Sequence, residues 1–291
     1  MNSRNLLNLA LFLFILVLVT FVVLEPGKDK PITPPKLTQL SENNIQQIKI
    51  TLNNNDQNIE LKKINNVWKM LKPYALPANS FRIESLNKLA GAISLSQNDL
   101  SGLKPKEFGL DPPVATVTFN NKIKIEFGHN KSLKHHRYVK IDSVLHMIAD
   151  TFYYQLIAKP ESFIDHSVLP QNSKIEKLVL PDITFTKNES DWSASPKTKN
   201  FSADAANQLM DEWQLSQAYD IEVKNPEANT KADITIQLSD KKLYRFKIKE
   251  NKENFILSNI DTGVNYILSR DRKEKLLTLT SIESNEDAGQ E

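Results

Sequence analysis

The feature that most limits what this chain can fold into is a stretch that occurs twice. Phe81 to Gln97 (FRIESLNKLAGAISLSQ) returns without a gap as Phe201 to Gln217 (FSADAANQLMDEWQLSQ), and Phe81/Phe201, Asn87/Asn207, Leu89/Leu209, Leu95/Leu215, Ser96/Ser216 and Gln97/Gln217 are identical pairs. Apolar residues recur at helical spacing in both: Ile83, Leu86, Ala90 and Ile93, then Ala206, Leu209, Met210 and Trp213. A helix with one apolar face must bury it against another layer. The expected fold class is therefore α+β, with two tandem, similar units that each lay this helix on an antiparallel sheet.

The flanking sequence reads the same way in both halves. In the first unit, taken as residues 45–165, Ile48 to Leu52, Ile59 to Lys62 and Val67 to Met70 read as strands before the helix, with Asn79 or Ser80 as its N-cap. After it come two hairpins, Val114–Phe119 with Ile123–Phe127 around Asn120-Asn121, and Tyr138–Ile141 with Val144–Ile148 around Asp142-Ser143. A short helix, Thr151 to Ala158, closes the unit. In the second, taken as residues 173–280, Ile175 to Leu180 stands for Ile48 to Leu52 and Trp192 for Trp68. Ile234–Leu238 and Leu243–Ile248 flank Asp240-Lys-Lys, and Ile260 to Ile267 aligns with Ile141 to Ile148. A duplication is the simplest cause.

Residues 1–24 are expected to cross a membrane. Leu6 to Leu24 is apolar except for Asn8 and Thr20, and a helix of this length spans a bilayer core, which needs about 20 residues. A cleaved signal peptide would end in small residues, whereas this run closes with Val22-Val23-Leu24-Glu25-Pro26, so it reads as an uncleaved single-pass anchor. Arg4 precedes the span and Lys28, Lys30 and Lys36 follow it, which leaves orientation undecided by charge. A short leading tail before a large body favours the body outside the cytoplasm. Residues 25–44, with Pro26, Pro31, Pro34 and Pro35, read as a spacer, and residues 281–291 as an acidic disordered tail.

Composition narrows the chemistry. A formal charge of +2 over 291 residues argues against a nucleic-acid partner, and the lack of cysteine excludes disulfides, thiolate metal sites and a cysteine nucleophile. Seven scattered glycines supply no phosphate-cradling loop, and no Gly-x-Ser-x-Gly sequence is present. His129, His135 and His136 share one inter-strand stretch without a completing set of ligands, so no metal site and no cofactor are expected. Within that basic loop, Lys134, His135, His136 and Arg137 are the candidate contacts for an acidic partner or phospholipid headgroups. Phe108-Gly109-Leu110-Asp111-Pro112-Pro113 reads as a turn, with Gly109 free to take a positive φ and the two prolines forcing an extended entry into the next strand. Phe108 and Leu110 are expected to plug the sheet edge, a structural role.

That turn with its following strand, Arg137-Tyr-Val-Lys-Ile141, Trp68 and the leading anchor together resemble the bacterial domain-of-unknown-function family 4340. The resemblance implies one N-terminal membrane segment, an extracytoplasmic α+β body, and genes placed beside ABC-type transporter subunits of the gliding-motility auxiliary kind. It implies no catalytic residue. The second half departs from the turn, having Ile221 to Pro226 in its place. The expectation is a non-enzymatic accessory or scaffold protein of the bacterial inner membrane, its body in the periplasm, binding other envelope proteins such as an ABC-type transport assembly. The alternative is an envelope enzyme or cell-wall glycan-binding protein with its site in the cleft between the units.

Overall fold

The computed structural model describes residues 3–24, 34–53, 57–131, 135–189, 191–199, 201–227 and 229–279. Helix α1 (Ser3–Leu24) comes first, and none of its apolar span is buried against protein. It is long and apolar enough to cross a membrane.

The first sheet is antiparallel and is built from β1 (Gln47–Leu52), β2 (Gln57–Ile64), β3 (Val67–Lys72), β4 (Leu76–Pro77), β5 (Ser96–Asp99), β6 (Ala115–Phe119), β7 (Ile123–Lys131), β8 (His136–Ile141) and β9 (Val144–Ala149). Across the sheet they run β4-β3-β2-β1-β6-β7-β8-β9-β5. The second sheet uses β10 (Ile175–Val179), β11 (Thr184–Asn188), β12 (Asp191–Ser195), β13 (Asp220–Val223), β14 (Ile234–Leu238), β15 (Leu243–Glu250), β16 (Asn254–Asn259) and β17 (Val264–Ser269), in the order β12-β11-β10-β14-β15-β16-β17-β13. The two orders superimpose strand for strand once β4 is set aside, so the duplication extends to the topology. Alternation places Ile48, Ile50 and Leu52 of β1 and Ala115, Val117 and Phe119 of β6 in the core. Asn120 and Asn121 both take positive φ, which lets a two-residue turn follow the strand twist.

The repeated helices are α2 (Ser80–Ala90) and α4 (Ala203–Gln214). Asn79 Oδ1 accepts from the Arg82 N–H at 3.2 Å, and Ser202 Oγ from that of Ala205 at 3.1 Å. Ile83, Leu86, Leu89 and Ala90 of α2 are buried, as are Ala205, Ala206, Leu209, Met210 and Trp213 of α4. Two short helices, α3 (Tyr153–Leu156) and α5 (Arg272–Leu277), close the units.

Several expectations need correction. The gapless alignment places Asn79 opposite Lys199, yet the caps are Asn79 and Ser202, and α4 ends at Gln214 rather than at Met210, the aligned partner of Ala90. The second helix is thus displaced by about one turn. A shift of one turn returns the same face to the sheet, so the apolar pattern does not report it. Ile93 lies beyond α2 and is half exposed; α2 stops at Gly91, and the polar stretch that follows forms edge strand β5. In the last hairpin Leu268, not Ile267, joins Ile148 in the core, because a one-residue shift in a strand turns a side chain to the other face.

The segment read as a spacer to residue 44 joins the body at Pro35. Leu37 is buried and its N–H donates to Ala92 O, Ser94 N–H donates to Pro35 O, and Lys36 bridges Ile93. Entry to the second unit repeats this pattern: Val168 N–H donates to Ser216 O, Ala218 N–H to His166 O, and Ser167 bridges Gln217. An apolar residue pulled into the core and backbone groups that need partners turn both lead-ins into short added strands. The tail at 281–291 lies outside the described residues.

Candidate functional site

The turn over Phe108–Pro113 is docked on the outer face of β7 and β8. A short 3-10 helix, Pro105–Phe108, ends at Gly109, which takes φ +70. Phe108 meets Tyr138 edge to face at 5.0 Å, and Leu110 is buried. The pair covers the sheet face rather than the sheet edge. Leu110 bridges Pro113 antiparallel across a turn at Asp111-Pro112, so the chain reverses there instead of entering extended. The Asp111-Pro112 peptide bond is cis, and Val114 N–H then donates to Phe127 O at the start of β6.

Two glycines permit the docking. A Cβ on Gly109 would meet the His129 ring at 2.2 Å, and one on Gly128 would lie 2.1 Å from Phe108 O. The second clash is with backbone and cannot be relieved by a rotamer change. Gly128→Ala is therefore expected to lift the turn from β7 and raise amide exchange over residues 105–113, with the exchange of α4 unchanged. Hydrogen-exchange mass spectrometry reads both.

Arg137, expected on the surface, is buried. Its Nε lies 2.6 Å from Asp150 Oδ1 and its Nη2 3.0 Å from Asp150 Oδ2, with both side chains 7% exposed. Nη1 donates to Gly128 O at 2.6 Å, and the guanidinium lies over the Tyr153 ring at 3.6 Å. A bidentate pair that also satisfies a carbonyl ties β8, the end of β9, the β7 bulge and α3 together. All three of its nitrogens are engaged, and at 7% exposure the side chain is hardly accessible to a partner. Extending the Asp142-Ser143 hairpin register past Arg137↔Ile148 already brings residue 150 alongside, so Asp150 was legible as a neighbour; its burial was not.

The other candidates in that loop do not converge. His135 is exposed with φ 49, His136 is half-buried, and Lys134 lies outside the described residues. No group of three or more His, Asp or Glu side chains is placed to hold a metal among the described residues.

Beside this end of the sheet, Glu126 is buried between Lys124 and Lys140, with Nζ–O distances of 2.6 and 2.5 Å. Burial pushes its carboxyl upward, but the bonds from the two lysines outweigh that and hold it below the usual carboxylate range. His146 is buried and its Nδ1 lies 2.9 Å from Ser94 Oγ. Ser94 donates its single hydroxyl proton to Ser96 O, so Nδ1 supplies the proton to Ser94. The pair is a structural relay, with the serine already committed as a donor.

Burial lowers the His146 pKa, so acid favours the unfolded chain, in which the imidazole takes up a proton more readily. Its contribution is present above the ordinary histidine value of about 6.5 and lost as pH falls through the lower folded value. Urea midpoints are expected to decline over that window, and His146→Gln to flatten the decline.

Between the units lies an open cleft of about 720 Å³, lined by Pro73–Leu76 on one side and by Val223–Pro226, Asp261 and Thr262 on the other. Tyr74 is its aromatic residue, and its hydroxyl donates to Glu161 at 2.6 Å. Burial and that carboxylate raise the phenol to about 12. The cleft's carboxylate, Asp261, is engaged by Arg245. Tyr74 and Asp261 are thus both held in local bonds.

The chain joins one membrane-length leading helix to a duplicated antiparallel α+β body. It belongs to the family described as Domain of unknown function (DUF4340), whose model matches residues 68–247, from Trp68 on β3 to Lys247 on β15. The match covers the docked turn and Arg137 and stops short of the last hairpin. No curated protein and no solved structure matches the chain.

Proposed function

We propose that this protein is a non-enzymatic accessory or scaffold of the bacterial inner membrane, held by α1 with its body in the periplasm and binding other envelope proteins. The observation that carries this reading is the pairing of an unburied membrane-length helix with a body whose most elaborate cluster is committed to holding the fold. Sheet edges such as β12 and β5 suit partners that add a strand. An ABC-type transport assembly is the first partner to test, on the strength of the gene neighbourhood that the family resemblance implies. Crosslinking of the full chain in its native membrane, followed by mass spectrometry, is expected to recover the same envelope proteins reproducibly. Repeated recovery of none would remove the proposal.

The 720 Å³ cleft favours one alternative, a glycan-binding role in which Tyr74 stacks on a sugar face. Retention of the full chain on purified cell wall, weakened by Tyr74→Ala, would move the reading to that alternative.

A further inference from the structure

The two units are entered by equivalent bridged segments, with different side chains beside them. Where Lys36 bridges Ile93, Ser167 bridges Gln217 in the second unit. Ile93 is 50% exposed and Leu95 47% exposed; the paired places in the second unit hold Gln217 and Tyr219, whose hydroxyl is bonded to Asn254, and Leu215 just before them is also exposed. The first unit is preceded by the membrane-length helix and the second by folded protein. What sets the first surface apart is its place beside the segment that follows the anchor, not the exposure of apolar side chains alone.

Covalent geometry fixes how far that surface can lie from a bilayer. Leu24 ends α1 and Leu37 is buried in the body, so thirteen residue steps separate them, an upper limit of about 45 Å at roughly 3.5 Å per residue. The point where the chain enters the body, with Ile93 and Leu95 beside it, is therefore held within that distance of the end of α1. Two half-exposed aliphatic side chains bind a membrane weakly on their own, but a tether makes the contact intramolecular and raises the effective concentration.

We propose that the surface formed by Ile93, Leu95 and Lys36 rests on the lipid headgroup layer, with the two apolar side chains entering the interface and the lysine meeting lipid phosphate. This orients the first unit against the membrane and presents the second unit to partners. It rests on the reading of α1 as a retained anchor.

The chain has no cysteine, so single labelling sites can be added to the full-length protein without removing any. A fluorophore is placed at Ile93→Cys, Leu95→Cys, Gln217→Cys or Leu243→Cys in vesicles of phosphatidylethanolamine and phosphatidylglycerol carrying headgroup nitroxide quenchers. Leu243 is a second-unit apolar control, 55% exposed. Quenching at 93 and 95 is expected to exceed that at 217 and 243 several-fold. Equal quenching at all four sites overturns the proposal. A fifth label, at Leu13→Cys with acyl-chain quenchers, separates the two ways of failing. If Leu13 is quenched and the four surface sites are equal, the anchor stands and the lipid contact falls. If Leu13 is unquenched, the anchor reading falls and takes the contact with it.

Discussion

Arg137→Ala is expected to destabilise the body by about 3–5 kcal/mol, the usual cost of removing one partner from a buried ion pair. The change leaves the Asp150 carboxylate 7% exposed without its counter-charge, deprives Gly128 O of its donor and removes the cation over Tyr153. Denaturant unfolding of the purified full chain measures the loss. Replacing both partners, as in Arg137→Met with Asp150→Leu, is expected to cost less than Arg137→Ala alone, because no uncompensated charge stays behind. A loss below about 1 kcal/mol would place the pair among solvated surface bridges and contradict the burial found here.

Trp213→Ala is the comparable test in the second unit. Trp213 is fully buried, packs 6.1 Å from Phe246 between ring centres, and donates its indole N–H to Leu276 O at 2.9 Å. Truncation of a large buried aromatic costs about 3–5 kcal/mol through lost contacts and the cavity left behind. Here it also strips a buried carbonyl at the end of α5 of its partner. Helix α5 has six residues and could not hold its shape alone, so its amides are expected to exchange quickly in the variant. Trp213→Phe keeps most of the packing and loses the hydrogen bond, so it is expected to cost a smaller share. If α5 stayed protected in Trp213→Ala, Leu276 rather than the tryptophan would be its main attachment.

The two substitutions sit in corresponding halves but act through different chemistry, which shows how far the copies have diverged. The first half closes its end with a charge pair and a docked Gly109/Gly128 turn, whereas the second secures its closing helix with an aromatic core. Among the described residues between β13 and β14 there is no second Gly109-type turn; there Lys224 lies against Gly263, at φ +74, of the β16–β17 turn.

Much of this was legible in the residues alone. Strand alternation located most strands, Asn120-Asn121 and Asp142-Ser143 marked two turns, and Trp68/Trp192 marked matching strands. Polar β5 was not found, because Ser96 to Asp99 carries no apolar alternation and its place is set by pairing to β9. The role of Arg137 was missed for a related reason. A charged side chain in a basic loop looks solvated until the carboxylate that neutralises it is brought into place by the fold.

By itself, then, the sequence determined the anchor-length apolar helix, the duplication and the α+β class, since each depends on composition and periodicity along a single strand or helix. The tertiary structure decided the one-turn displacement of α4, the strands added by Pro35–Leu37 and His166–Val168, and the burial of Arg137 against Asp150. Helical periodicity is unchanged by sliding one turn, and a buried ion pair or an edge pairing exists only between segments, so neither can be read from one segment alone.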